Sequence, residues 1–166
     1  DRAPAIWQQL CESGGFHECG SSFWRRHEIL SGIPTVTSET SEEFVPQMLN
    51  LDLLGGISLN KGCYTGQEIV ARMYYLGRLK RRMFLIRCPA FTKPGTAIFD
   101  AENDSRQSIG TVVQVTFAGE PCYALAVLQI SHASTKLRLD SPRGEPICVA
   151  EQPYPHPGSA DNAPGT

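Results

Sequence analysis

Residues 60–77, NKGCYTGQEIVARMYYLG, mark a change of apolar period along the chain. Up to Gly77 the apolar residues recur at helical spacing. After it they recur at every second position and turn β-branched. Within the stretch, Thr65-Gly66-Gln67-Glu68 fits a capping box, with the threonine hydroxyl accepting from the third helical amide and the glutamate reaching back. Ile69, Met73 and Leu76 then form one apolar stripe with Val70 and Tyr74 beside it. Glu68 and Arg72 are spaced as an i,i+4 pair. Gly77 is placed to end the helix in a left-handed cap. The spacing predicts a helix from about Gly66 to Leu76.

Downstream, RMFLIRC, TAIFD, IGTVVQVTF, CYALAVLQI, KLRLD and PICVA read as six short strands punctuated by Gly, Pro, Asn and Asp. Their number and spacing predict a small antiparallel barrel. Upstream, PAIWQQLCES is a helix candidate with Pro4 near its start. Ser22 is placed to cap a second helix, FWRRHEIL, with Phe23, His27 and Leu30 on one face. PTVTSETSEEF reads as an extended polar connector, and VPQMLNLDLLGGISL as a helical turn running into a buried extended segment. The tail EQPYPHPGSADNAPGT reads as loose. The fold class expected is α+β, divided into 1–77, a barrel over 78–150 and a flexible tail over 151–166.

Charge changes sign at the same place as the period. Residues 1–77 carry five basic and nine acidic side chains, and residues 78–150 carry ten and six. With 166 residues and 41% apolar content, the chain suits one mid-sized or two small domains. No apolar run approaches the roughly 18 residues that a membrane-spanning helix needs, so no membrane partner is expected. The opening DRAPAIWQQL reads as the interior of a protein, and the expectation is a fragment lacking its N-terminal part.

The six cysteines, at 11, 19, 63, 88, 122 and 148, show no paired spacing. Reduced thiols in a cytoplasmic setting are the expectation. Cys11, His17 and Cys19 lack a fourth ligand at zinc-like spacing, so no metal is assigned. Cys88, Cys122 and Cys148 lie in apolar runs and read as core. Cys63 stands apart. It lies just before a helix start and two residues from Lys61, and both favour a thiolate. Gly62 and Gly66 allow a tight turn. Tyr64 offers a stacking face, and Gln67 and Glu68 offer edges for a heterocycle. A tight turn with Cys63 as filler is the plainer reading of the same spacing.

The octapeptide KGCYTGQE, residues 61–68, resembles the signature of the YgfZ family, which is similar to the tetrahydrofolate-dependent glycine-cleavage T-protein. The flanks FVPQMLNLDLLGGISL and IVARMYYLGRLKRR agree, as do EILSGIPTV upstream and YALAVLQISHA downstream. The resemblance implies members roughly twice as long, with ferredoxin-like folate-cradling domains ahead of a C-terminal barrel. This chain would hold the end of the folate-binding domain and the barrel. It implies a tetrahydrofolate-binding accessory protein in iron–sulfur cluster assembly or repair that indirectly supports tRNA modification. Lys61 and Cys63 would be its reactive pair, with Tyr64, Gly66, Gln67, Glu68 and Arg72 facing the cofactor. Iron–sulfur enzymes or assembly proteins would be partners, and whether any reaction is catalysed stays open.

One position departs from the pattern. Where T-protein-like chains carry a pterin-reading Glu two residues before a Gly, this chain has Leu30, with Glu28 two positions earlier. A missing acceptor costs roughly 1–3 kcal/mol. The alternatives are a folate-dependent aminomethyltransferase, which the Lys-Gly-Cys signature and Leu30 disfavour, and a basic RNA-binding module on RLKRR. That run has no interleaved aromatics and reads as a solvated strand entry, so direct nucleic-acid binding is not expected.

Overall fold

The computed structural model describes residues 2–102, 107–116 and 121–156. Three helices, α1 (Ala3–Glu12), α2 (Ser21–Leu30) and α3 (Gln67–Leu76), precede six strands. The strands are β1 (Arg81–Arg87), β2 (Ala97–Asp100), β3 (Gly110–Val115), β4 (Tyr123–Gln129), β5 (Leu137–Leu139) and β6 (Pro146–Val149). All six expected strands form, although Phe117, expected in β3, lies outside the described residues. They close into a barrel in the order β1-β4-β3-β2-β5-β6, antiparallel throughout, with β6 returning to β1. The fold is α+β with a small closed barrel.

Alternation explains the core. Phe84 and Ile86 of β1 point inward with Val112, Ala124, Ala126 and Leu128. The alanines on β4 keep the barrel narrow enough for side chains to fill it. Met83, Leu85, Leu125 and Val127 point outward, yet they too are buried. They meet Ile29 of α2 and Leu49 of the 3-10 turn Pro46–Leu49 in a second core. A bulge between Val112 and Gln114 turns Val113 into that outer core. The Gln114 Oε1 then accepts the Thr35 amide at 2.8 Å, tying the connector to the barrel.

Several local expectations are corrected. Gly66, in the left-handed region at φ 88°, occupies the N-cap of α3, and no side chain caps that helix. The capping box fails because Gln67 turns back instead, its Oε1 accepting the Tyr64 amide at 3.3 Å. Gly77 is extended, at φ −87°, ψ 136°. It is needed because a Cβ there would sit 2.8 Å from the Met73 carbonyl oxygen. Of the expected α3 stripe, Ile69 and Leu76 are exposed, and Val70 is the buried contact. On α2 the N-cap is Gly20 and the buried residue is Ile29, while Phe23 is exposed with its ring against His27. The connector contains a 3-10 turn, Ser38–Thr40, with the Thr37 amide donating to the Thr40 hydroxyl at 3.3 Å. Residues 51–55 are turns and 53–56 are exposed, so no buried extended segment forms there.

The start of the tail is not loose. The Gln152 side chain bonds both the amide (2.9 Å) and the carbonyl (3.1 Å) of Leu85. The Tyr154 hydroxyl donates to the Gly32 carbonyl at 3.0 Å, and His156 is buried against Phe84. Residues 157–166 lie outside the described ones.

Candidate functional site: the cysteine loop and the clefts beside α3

The loop over 61–66 is open. Cys63 is exposed. The Lys61 ammonium sits over the Tyr64 ring, 4.8 Å from its centroid, so one face of that ring is already covered by a cation. The Gln67 amide nitrogen donates to the Tyr64 carbonyl at 3.2 Å and closes the turn. A Cβ on Gly62 or Gly66 would meet no atom within 4 Å, so neither glycine is packed against a neighbour. Glu68 and Arg72 are exposed and do not pair with each other. The structure thus gathers Lys61, Tyr64 and Gln67 into one turn. It leaves Cys63, Gly66, Glu68 and Arg72 on an open surface.

Two clefts flank α3. One, of about 370 Å³, is lined among others by Gln47, Asp52, Met73, Tyr74, Arg78 and Arg82. The other, of about 340 Å³, is lined by Asp52, 57–60, Tyr74 and Tyr75. Neither includes Cys63, Tyr64 or Gln67. The described residues of the loop therefore do not enclose a heterocycle by themselves, and the Gln67 oxygen, expected to offer an edge to one, is turned to the Tyr64 amide. For tetrahydrofolate, the loop fits an open wall and not a complete cradle.

Arg82 is the residue that sequence reasoning misplaced. It is buried, not a solvated strand entry. Its guanidinium grips Asp52 through two bonds, 3.0 and 2.8 Å, and reaches Asn50 Oδ1 at 3.2 Å. Asn50, left-handed at φ 59°, donates to the Met83 carbonyl at 2.8 Å and to the Tyr154 hydroxyl at 3.2 Å. Burial pushes that phenol above its ordinary value. The Gln47 Nε2 donates to the Val70 carbonyl at 2.7 Å, which fixes α3 to the turn that carries Asn50. The signal available in sequence was the Asn that ends a helical turn just ahead of an Asp. Nothing local paired that Asp with an arginine thirty residues away.

An α+β chain that leads from an exposed cysteine loop through one helix into a closed six-strand antiparallel barrel is the class these features define. Comparison with curated proteins gives the family. Over 139 residues the chain is 37% identical to the tRNA-modifying protein YgfZ of Edwardsiella ictaluri, covering 81% of this chain and 42% of that one. It is 38% identical over 113 residues to the protein of the same name from Aliivibrio fischeri, covering 66% and 36%. A 65-residue stretch is 55% identical to that of Colwellia psychrerythraea, covering 39% and 20%. The chain belongs to the YgfZ family. It spans less than half the length of these relatives. No family model matches it. Among the described residues no helix is long and apolar enough to cross a membrane.

Proposed function

We propose that this chain supplies the cysteine loop and barrel of a tetrahydrofolate-binding accessory protein. That protein acts in iron–sulfur cluster assembly or repair and, through cluster enzymes, supports tRNA modification. The observation that carries the reading is the loop KGCYTGQE with its Cys63 thiol exposed and flanked by Gly62 and Gly66, where an added Cβ would meet no atom within 4 Å. A thiol presented this way is open to a large partner, and thiolate is a soft ligand suited to iron. The relatives' name, tRNA-modifying protein, fits the downstream effect. Folate enters as a ligand shared with further chain, since the loop offers one wall only. On this reading Tyr64, Glu68 and Arg72 contribute to that wall, and Gln67 shapes it by holding the Tyr64 turn.

The test is a chimera in which residues 2–156 replace the matching segment of the Edwardsiella ictaluri relative, expressed in cells deleted for their own YgfZ. The chimera is expected to restore an iron–sulfur enzyme activity and tRNA thiolation, and its Cys63→Ala variant is not. Calorimetry against tetrahydrofolate is expected to give at least about tenfold tighter binding to the chimera than to the chain alone, a difference of about 1.4 kcal/mol. Full rescue by Cys63→Ala would remove the thiol from the function.

A further inference from the structure

The two clefts beside α3 share Tyr74 and Asp52. Tyr74 is 56% exposed and Tyr75 70%, and the two rings meet edge to face at 5.2 Å. Two adjacent tyrosines left in water on a helix end are unusual for a surface with no partner. Their surroundings are cationic. Arg78 lines the first cleft, and the exposed Lys80 follows it two positions on, at the entry to β1. Residues 73–80 contain two basic side chains and no acidic one. Asp52, the acid common to both clefts, is neutralised by Arg82 at 2.8 Å. Ser58 and Asn60 line the cleft beside Tyr75 and bring hydrogen-bonding groups to it. The clefts fall at the lower end of the roughly 300–1,000 Å³ usual for sites that take small ring systems.

We propose that this face, built from Tyr74, Tyr75, Arg78 and Lys80, binds a single-stranded segment of RNA. Bases stack on the tyrosines, phosphates pair with the cations, and Ser58 and Asn60 meet a 2′-hydroxyl. The run RLKRR by itself has no aromatics between its cations, but the end of α3 places two beside it. Stacking tolerates any base, and a cationic border tracks the backbone, which is the combination single strands require. The 2′-hydroxyl contact selects RNA over DNA. A protein partner would favour the other flank of the helix. Ile69 and Leu76, 59% and 83% exposed, lie seven positions apart on one flank, turned well away from Tyr74 and Tyr75 at about 100° per residue. The proposal goes beyond the folate and iron–sulfur reading and involves neither folate nor Cys63.

Fluorescence anisotropy of a labelled single-stranded RNA of about 12 nucleotides, with the same sequence as DNA in a parallel arm, tests it on the whole chain. The chain is expected to bind RNA several-fold more tightly than DNA. Tyr75→Ala and Tyr74→Ala are each expected to weaken RNA binding about tenfold. Arg78→Ala is expected to lower the salt dependence by about 0.7 in the log–log slope. Leu76→Ala is the control and is expected to change nothing, and thermal melts confirm that each variant is folded. Absence of RNA binding overturns the proposal, as does binding indifferent to both tyrosines. Equal affinity for DNA overturns the assignment to RNA. A loss in Leu76→Ala as large as in Tyr75→Ala overturns it in favour of an apolar protein-docking face.

Discussion

Cys63, Cys88 and Cys122 are three thiols of one chain with different surroundings. Cys63 is exposed on its loop. Cys88 stands opposite Cys122 where the β1–β4 pairing ends. Its amide donates to the Cys122 carbonyl at 3.1 Å, and its sulfur lies 3.9 Å from the other. Burial, offset in part by Thr92, pushes the Cys88 thiol up to about 12. Cys122 is buried, with its thiol donating to the Thr116 carbonyl. Alkylation with iodoacetamide at neutral pH, followed by mass spectrometry, is expected to label Cys63 first of the six. Cys88 should follow roughly a thousandfold more slowly, because so little of it is thiolate. Lys61→Ala should slow Cys63 by about twofold, a small effect because water screens an exposed charge. If Cys63 reacts no faster than Cys88, the loop thiol has no special chemistry. The contrast was partly legible in sequence. Apolar neighbours marked Cys88 and Cys122 as core, and polar ones marked Cys63 as different. Cys148 was misread, because β6 turns it outward into water. The geometry around Cys63 was not legible either. Whether Gln67 faces a ligand or its own turn depends on one rotamer, and the turn took it.

At the scale of elements, strands were easier to read than helices, and the reason is burial. A barrel strand buries alternate residues against its own sheet, so period two survives in the sequence. The helices here bury little. Only Ile29 of α2 and Val70 of α3 are buried, and α1 buries none. Their apolar periodicity therefore does not mark which side meets the barrel. The first residues after β6, up to 156, were misread for a related reason. Their prolines suggested looseness, but side chains hold them, through Gln152 on β1 and the Tyr154–Gly32 bond. A Cβ on Gly32, at φ 68°, would run into the Tyr154 ring, so glycine is required there by both space and dihedral. This strap carries a pH dependence. His156 rests against Phe84 and Tyr154, with Asn50 Nδ2 3.5 Å from its Nε2. Burial first, and then the Arg82 charge, hold its pKa below the ordinary 6.5. The folded state thus prefers the neutral ring. Its contribution is complete above about pH 6.5 and is lost as pH falls through the depressed folded value. Thermal melts between about pH 8 and pH 5 should show the midpoint falling at the acid end, and His156→Gln should flatten that fall. An unchanged acid slope in the variant would mean that other groups set it.

The whole molecule is organised by which faces of the barrel are left for other parts of the chain. The interior was foreseeable, because six alternating strands need a closed core. The outer face of β1, β3 and β4 was not, because its burial depends on segments far away in sequence. Ile29, Leu49 and Phe44 cover Met83, Leu85, Val113 and Leu125. That second core explains why β1 has five consecutive buried residues when a strand with one wet face would alternate. It also bears on the charge reversal at Gly77, where sequence placed a boundary. Arg82 lies beyond that point and Asp52 and Asn50 before it, in one buried cluster. Cutting at Gly77 would leave the guanidinium without its carboxylate and expose the outer core. Breaking a buried ion pair alone costs about 3–5 kcal/mol. Losing the cover from Met83 and Leu85 adds roughly 1.5–3 kcal/mol for each side chain returned to water. Domains of this size have only about 5–15 kcal/mol in total. The isolated segment 78–156 is therefore expected to show no cooperative urea transition and to bind hydrophobic dye, while the whole chain unfolds cooperatively. Arg82→Met, which removes the charge but keeps the segment covered, should fall between the two. A cooperative transition in 78–156 at the midpoint of the whole chain would mean that the barrel stands alone and that the N-terminal helices merely rest on it.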